Sequence, residues 1–276
     1  MLDTPFIAAC LQVNAGTDMD ANIAEAVRMT RQARADGAQM VFMPENVTMM
    51  EWGRANIVGK ARTEADHPGL ITFRALAEEL GLWLHCGTLA ILLPNGKVAN
   101  RTYVVSPDGQ IAARYDKIHM FDVDLGNGES YRESATFEPG HQAVLVDLPW
   151  GTLGLSVCYD IRFPHLYRAL AKAGAAMLTI PAAFTRVTGQ AHWHVLQRAR
   201  AIETGCYVLS PAQTGTHAND RLTYGHAVII DPWGEVLADA GTEPGVILAE
   251  IDPRKVAEVR GKVPSLIHDR PFGLGA

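Results

Sequence analysis

Apolar positions along this chain follow two rhythms. Short runs such as Phe6 to Val13, Gln39 to Met43 and Ala176 to Ile180 have the length of buried strands. Between them, apolar residues recur at helical spacing. In Asp20 to Asp36, Ile23, Val27 and Ala33 fall on one side and Arg28, Arg31 and Arg34 on the other, with Asp20 placed as N-cap and Gly37 as a stop. A second helix is predicted over Leu70 to Leu80, closed by Gly81, leading into one strand over Leu82 to Leu92. A hairpin follows, Ala99 to Val105 and Ile111 to Tyr115, around the turn Ser106-Pro107-Asp108-Gly109.

The second half repeats this order. Strands are expected at Ala143 to Leu148, Leu153 to Val157, Ala176 to Ile180 and Cys206 to Ser210, and helices at Pro164 to Ala173 and Ala191 to Thr204. A second hairpin joins His226 to Ile230 and Val236 to Ala238 through Asp231-Pro232-Trp233-Gly234, with Trp233 expected to pack. Alternating strands and helices point to an α/β fold. The repetition points to a four-layer α-β-β-α sandwich of two pseudo-repeated half-sheets, face to face with helices outside. We expect residues 1–276 to form a single domain, with 254–276 as an extended polar tail carrying Pro264 and Pro271.

Composition narrows the function classes. A net charge of −6, with no basic cluster, argues against a nucleic-acid surface. The longest apolar runs are too short to span a bilayer, and the start Met1-Leu2-Asp3 lacks the cationic opening of a signal peptide, so a cytoplasmic protein is expected. Four cysteines without a CxxC pair suggest neither a zinc site nor a disulfide framework. Cys10, Cys86 and Cys206 sit in apolar runs and read as small buried hydrophobes. Cys158 differs, because it stands where a strand gives way to polar residues.

Three positions carry candidate chemistry. Glu45 follows an apolar strand and Pro44, which cannot donate to a sheet ladder, so a carboxylate is presented at the C-terminal edge of a strand. Lys117 follows the strand Ile111 to Tyr115. Cys158, in Gly154-Leu155-Ser156-Val157-Cys158-Tyr159-Asp160, occupies a strand–turn–helix junction that exposes the thiol and aims backbone N–H groups at whatever it attacks. Each residue alone has an ordinary structural explanation. Together, a carboxylate and an ammonium beside one thiol supply a base and a positive neighbour, which would draw it toward thiolate. Asp160 and Arg162 read as an ion pair steering the turn. In the helix beyond, Trp193, Leu196 and Ile202 form the expected apolar face. His192 and His194 diverge on it at i and i+2, so no metal and no cofactor are expected.

At these residues the chain resembles the nitrilase, or carbon–nitrogen hydrolase, superfamily. That family carries Glu, Lys and Cys in this order, in the settings Pro44-Glu45, Tyr115-Asp116-Lys117-Ile118-His119 and Gly154-Leu155-Ser156-Val157-Cys158-Tyr159-Asp160-Ile161-Arg162-Phe163-Pro164. The resemblance covers nearly the whole chain. It implies that Cys158 attacks an amide carbon while Glu45 takes its proton, and that Lys117 and the Tyr159 backbone N–H hold the oxyanion. Glu45 would then protonate the departing nitrogen and activate the water that hydrolyses the thioester. A second glutamate, matched by Glu133, would position Lys117 and the substrate, and two carboxylates in one site should raise one pKa.

Within the family, Pro181 to Thr185, Thr188 to Trp193 and Arg198 to Glu203 resemble both the branch containing deaminated glutathione amidase and its neighbour, the omega-amidases, while Ala212 to His217 with Arg221 and Tyr224-Gly225-His226 resemble the former more than the latter. Gln190, Ala227 and His165 depart from that branch, which often has proline, serine and glutamate there. The branch implies hydrolysis of deaminated glutathione, N-(4-oxoglutarate)-L-cysteinylglycine, in metabolite repair, with Arg186, His192 and Arg221 as cations for its carboxylates. Alternatives with the same trio are an omega-amidase acting on α-ketoglutaramate, a nitrilase, an N-carbamoyl amino-acid hydrolase, or an inactive scaffold of the fold. The partners implied are a small amide, water and a second copy of the chain in a homodimer or homotetramer, with neither nucleic acid nor membrane.

Overall fold

The first strand, Phe6–Val13, shows how the layers form. Its side chains alternate across the sheet, so Phe6, Ala8 and Cys10 enter one core and Ala9, Leu11 and Val13 another. The first core lies between two sheets and includes Leu153, Leu155, Met177 and Leu209 from the opposite one. The second is closed by helices Met19–Ala35, through Ile23, Ala26, Met29 and Ala33, and Pro68–Leu80, through Leu70, Phe73 and Ala77. Helices Pro164–Lys172 and Arg186–Thr204 cover the far sheet, their Leu166, Leu170 and Trp193 joining the first core. The result is the expected helix–sheet–sheet–helix sandwich, seen in a computed structural model that describes residues 4–126 and 129–275. The Met1-Leu2-Asp3 start lies outside the described residues.

The halves do not each keep to one sheet. Six described strands from the second half form one sheet, with the central run Gly151–Leu155, Ala175–Thr179 and Tyr207–Ser210 parallel. The other sheet takes strands from both halves. Gly245–Ile251 returns to pair antiparallel with nearly all of Phe6–Val13, from Phe6 opposite Ile251 to Gln12 opposite Gly245. Ala212–Thr216 adds a parallel contact at Gln12 and Val13. This crossing brings residues from both halves to one sheet edge.

Several local expectations are corrected. The first helix is capped by Asp18, whose carboxylate accepts from Asp20 and Ala21 N–H, rather than by Asp20. The strand expected over Leu82 to Leu92 is two, Trp83–His85 and Leu89–Leu92. The break is at Gly87, with φ +59°, where a Cβ would lie 2.0 Å from the Pro44 carbonyl oxygen. The helix expected from Ala191 begins at Arg186, because Gly189 lets Tyr224 lie where a Cβ would fall, 2.3 Å from its own Cβ. Residues Arg254–Lys262 of the expected extended tail form a helix held by buried Val256 and Val259. Trp233 and Ile202, expected to pack, are more than half exposed. Among the described residues no helix is long and apolar enough to cross a membrane.

Candidate active site

Glu45 stands just past strand Met40–Phe42, in a segment drawn tight by Gly87. Asn46 adopts a left-handed φ of 56° and its N–H donates to Thr88 Oγ1 at 2.8 Å, while Gln213 Nε2 donates to the Glu45 carbonyl at 2.9 Å. Lys117 directly follows strand Ile111–Asp116, its N–H donating to the Asn100 carbonyl at 3.0 Å. Its side chain turns inward and is 2% exposed, where a surface lysine would be the ordinary case. Cys158 opens the 3₁₀ turn Cys158–Arg162 with a left-handed φ of 48°, and its N–H donates to the Pro181 carbonyl at 3.0 Å.

The turn under the thiol is clamped by Asp160. This buried carboxylate accepts from Val157 N–H at 2.8 Å, Tyr115 Oη at 2.6 Å and His119 N–H at 3.0 Å, with His119 Nδ1 at 2.6 Å. The expected Asp160–Arg162 pair does not form. Arg162 faces His192 Nδ1 at 3.3 Å and lies 5.3 Å from the centre of the Phe184 ring.

The three side chains meet. Lys117 Nζ donates to Glu45 Oε1 at 3.0 Å and to Glu133 at 2.8 and 3.0 Å. Glu45 Oε2 accepts from Ala183 N–H at 2.8 Å, and the Cys158 thiol lies against the same carboxylate. Glu133, from the 3₁₀ turn Glu133–Ala135, also accepts from Phe121 N–H at 2.7 Å. The Tyr159 N–H takes no partner from the described residues. Sequence reasoning missed Asn100, whose Nδ2 donates to Glu45 at 2.9 Å and Glu133 at 3.2 Å. The signal was available: a polar residue in the otherwise apolar start of strand Val98–Val105.

Electrostatics differ from expectation at the thiol. Burial, then the Glu45 carboxylate, push Cys158 well above the ordinary thiol range, outweighing the pull of Lys117. Both causes favour the neutral Cys158 thiol over the thiolate. Burial also disfavours the Glu45 carboxylate, but Lys117 and the interactions with Cys158 and Ala183 outweigh it, so its pKa is lowered. Burial opposes charge on Lys117, and Glu133 and Glu45 more than offset it, holding the ammonium above its usual range. One cation between two carboxylates leaves no room for a third negative charge, so the thiol keeps its proton.

These groups line a cavity of about 380 Å³. Tyr159 and Arg221 line it too; Arg186 lies in a shallower depression next to it, sharing Arg221, and His192 is on the outer helix against Arg162. Two guanidiniums not anticipated, Arg54 and Arg132, complete the cationic lining. A buried Glu–Lys–Cys cluster at the edge of a sheet in an α-β-β-α sandwich is the decisive arrangement, and the model of the family "Carbon-nitrogen hydrolase" matches residues 7–261. The chain belongs to the carbon–nitrogen hydrolase family. It is an amidase of that family. This carbon–nitrogen hydrolase is 41% identical to a deaminated glutathione amidase of Synechocystis sp. over 96% of this chain and 98% of that relative. Its fold matches the crystal structure of the C. elegans NitFhit protein with a TM-score of 0.92 and 36% identity, covering 98% of this chain but 66% of that longer one. It matches Saccharomyces cerevisiae Nit3, a member of branch 10 of the nitrilase superfamily, with a TM-score of 0.87 and 27% identity over 98% and 97% of the two chains.

Proposed function

We propose that this amidase hydrolyses deaminated glutathione, with Cys158 as nucleophile, Glu45 as base, and Lys117 and the Tyr159 N–H as oxyanion donors. The neutral thiol passes its proton to Glu45 as Sγ attacks the amide carbon, so net charge in the closed site is unchanged and little solvent reorganisation is needed. The negative charge then moves to the carbonyl oxygen, beside the Lys117 ammonium. As the C–N bond breaks, Glu45 returns the proton to the leaving amine of cysteinylglycine. Water then attacks the thioester, Glu45 takes one of its protons, the C–S bond breaks, and that proton returns to the thiol. Glu133 and Asn100 hold Lys117 and Glu45 in register.

The observation that carries the choice of substrate is the charge of the cavity wall. Arg54 and Arg221 have no carboxylate partner among the described residues; their hydrogen bonds go to the backbone carbonyls of Ala135 and Ala183, while Arg132 donates to the Val123 and Tyr131 carbonyls and sits beside the Asp122 carboxylate. Arg221 Nε is buried with no partner at all. Guanidiniums left without counter-charges suit an acyl chain and a leaving peptide that each end in carboxylate. The Synechocystis relative is named for this substrate. We place the enzyme in the cytoplasm as a homodimer or homotetramer serving metabolite repair. Val187, Val195 and Ile202, each more than half exposed along helix Arg186–Thr204, offer an apolar stripe for a second copy.

Purified protein should be assayed against deaminated glutathione, α-ketoglutaramate, a simple nitrile and an N-carbamoyl amino acid. The expected outcome is highest kcat/KM on deaminated glutathione, with mass spectrometry finding the 4-oxoglutaryl group on Cys158. Preferred turnover of the nitrile or the carbamoyl compound would overturn the reading, and an unmodified Cys158 would overturn the mechanism.

A further inference from the structure

Away from the cavity, three elements bring two imidazoles and a carboxylate together. His194 lies on helix Arg186–Thr204, His226 just before strand Val228–Ile230, and Asp239 at the end of strand Val236–Asp239. His194 Nε2 is 2.8 Å from Asp239 Oδ2, and His226 Nδ1 is 2.9 and 3.2 Å from the two carboxylate oxygens. The three ligand atoms all lie within 4.8 Å of one another. The two histidines near in sequence, His192 and His194, diverge on their helix and do not form the pair. The fold turns His192 toward Arg162 and supplies His226 and Asp239 from a distant hairpin instead.

We propose that His194, His226 and Asp239 form a binding site for a divalent transition-metal ion, Zn²⁺ being the chemistry it fits best. A cation ~2.0–2.1 Å from each donor would set neighbouring donors roughly 3.3 Å apart in a tetrahedron. The N–O separations are already close to that, and modest side-chain rotation brings the two nitrogens in. Two imidazoles with one carboxylate favour zinc and its neighbours over magnesium or calcium, which prefer oxygen alone.

Two of the ligands, His226 and Asp239, are oriented by contacts outside the trio, as metal ligands commonly are. The His226 ring stacks on Tyr224, with centroids 4.4 Å apart. Its backbone holds a left-handed φ of 55°, uncommon for a bulky residue, fixed by its N–H donating to the Gly241 carbonyl at 2.7 Å. Asp239 Oδ1 accepts from Gly241 N–H at 2.8 Å. The side chains of His194, His226 and Asp239 remain 32%, 23% and 31% exposed, so an ion can enter and water can complete its shell. A bound ion would clamp the helix to the hairpin. The clamp touches the cavity wall indirectly, since Trp193 Nε1 donates to the His226 carbonyl at 2.8 Å and Trp193 packs on Phe184, which lines the cavity.

The test is titration of the metal-free full-length protein with Zn²⁺ by calorimetry, and with Co²⁺ by visible absorption. One ion should bind per chain, and Co²⁺ should give ligand-field bands without thiolate charge transfer, which separates this site from Cys158. Asp239→Asn and His194→Gln, both at partly exposed positions and outside the catalytic machinery, should keep amidase activity while weakening zinc binding on the order of 100-fold. At about a hundredfold excess over the wild-type Kd, zinc should raise the wild-type Tm by roughly 5 °C and the variants by only about 1 °C. Absence of binding, binding that survives both substitutions, or a cobalt spectrum dominated by thiolate charge transfer would each overturn the proposal.

Discussion

Replacing Glu45 by glutamine keeps the size of the side chain and removes its charge, and the structure says what that costs. Three donors converge on the carboxylate, Asn100 Nδ2 and Lys117 Nζ on Oε1 and Ala183 N–H on Oε2, with the Cys158 thiol beside it. Glutamine offers one acceptor oxygen and one NH₂. Whichever way round it sits, at least one buried donor faces a donor. At about 1–3 kcal/mol for a buried unsatisfied group, the loss is on the order of 1–3 kcal/mol. At roughly 2 °C per kcal/mol for a chain of this size, Tm should fall by about 2–6 °C. Chemistry should suffer more, because the thiol loses the group that takes its proton; single-turnover amine release should slow by roughly 10²–10⁴-fold. The deficit in stability should depend on pH. Folding lowers the pKa of Glu45, so its contribution is present above the unfolded carboxylate pKa and is lost as pH falls through the folded value. Wild type and variant should therefore converge in Tm under acid conditions. Thermal melts across pH, paired with alkylation of Cys158 by iodoacetamide, read both effects. A variant that melts with the wild type at neutral pH and is alkylated at the wild-type rate would refute the assignment of Glu45 as base.

Three further outcomes are expected. Gly87→Ala places a non-glycine residue at φ +59° and its Cβ 2.0 Å from the Pro44 oxygen, costing about 1–3 kcal/mol from the backbone conformation alone; unchanged Tm and activity would show that Glu45 does not depend on this close approach. Arg221→Ala should raise KM for deaminated glutathione roughly 10–100-fold, the worth of a charge-assisted hydrogen bond, with kcat little changed; an equal rise for an amide lacking carboxylates would contradict a carboxylate contact. Folding raises the pKa of Cys158, so the stability it contributes is complete below the ordinary thiol pKa and is lost as pH rises beyond it. Wild type should thus lose Tm relative to Cys158→Ser above about pH 8.5, the unperturbed thiol value, and parallel alkaline melting curves would deny the neutral resting thiol.

The chain's own pattern determined a good deal. Period-two and helical spacing located most strands and the principal helices, since those spacings are local and each element must bury one face. The repeated order implied the layered sandwich, and Pro44, the strand ends and the turn after Val157 placed Glu45, Lys117 and Cys158 at element termini. What lay beyond the sequence was set by contacts between distant segments. Nothing near Gly245–Ile251 says that it pairs with Phe6–Val13, because that register is decided by the vacancy beside the first strand. Burial of Lys117, the bridging role of Asn100 and the partnership of Asp160 with Tyr115 and His119 rather than Arg162 all depend on residues 15 or more positions away. The charge state of Cys158 could not be read locally either. A positive neighbour argued for thiolate, but desolvation and the field of Glu45 exist only once the sheets have closed over the site, and they decide for the thiol.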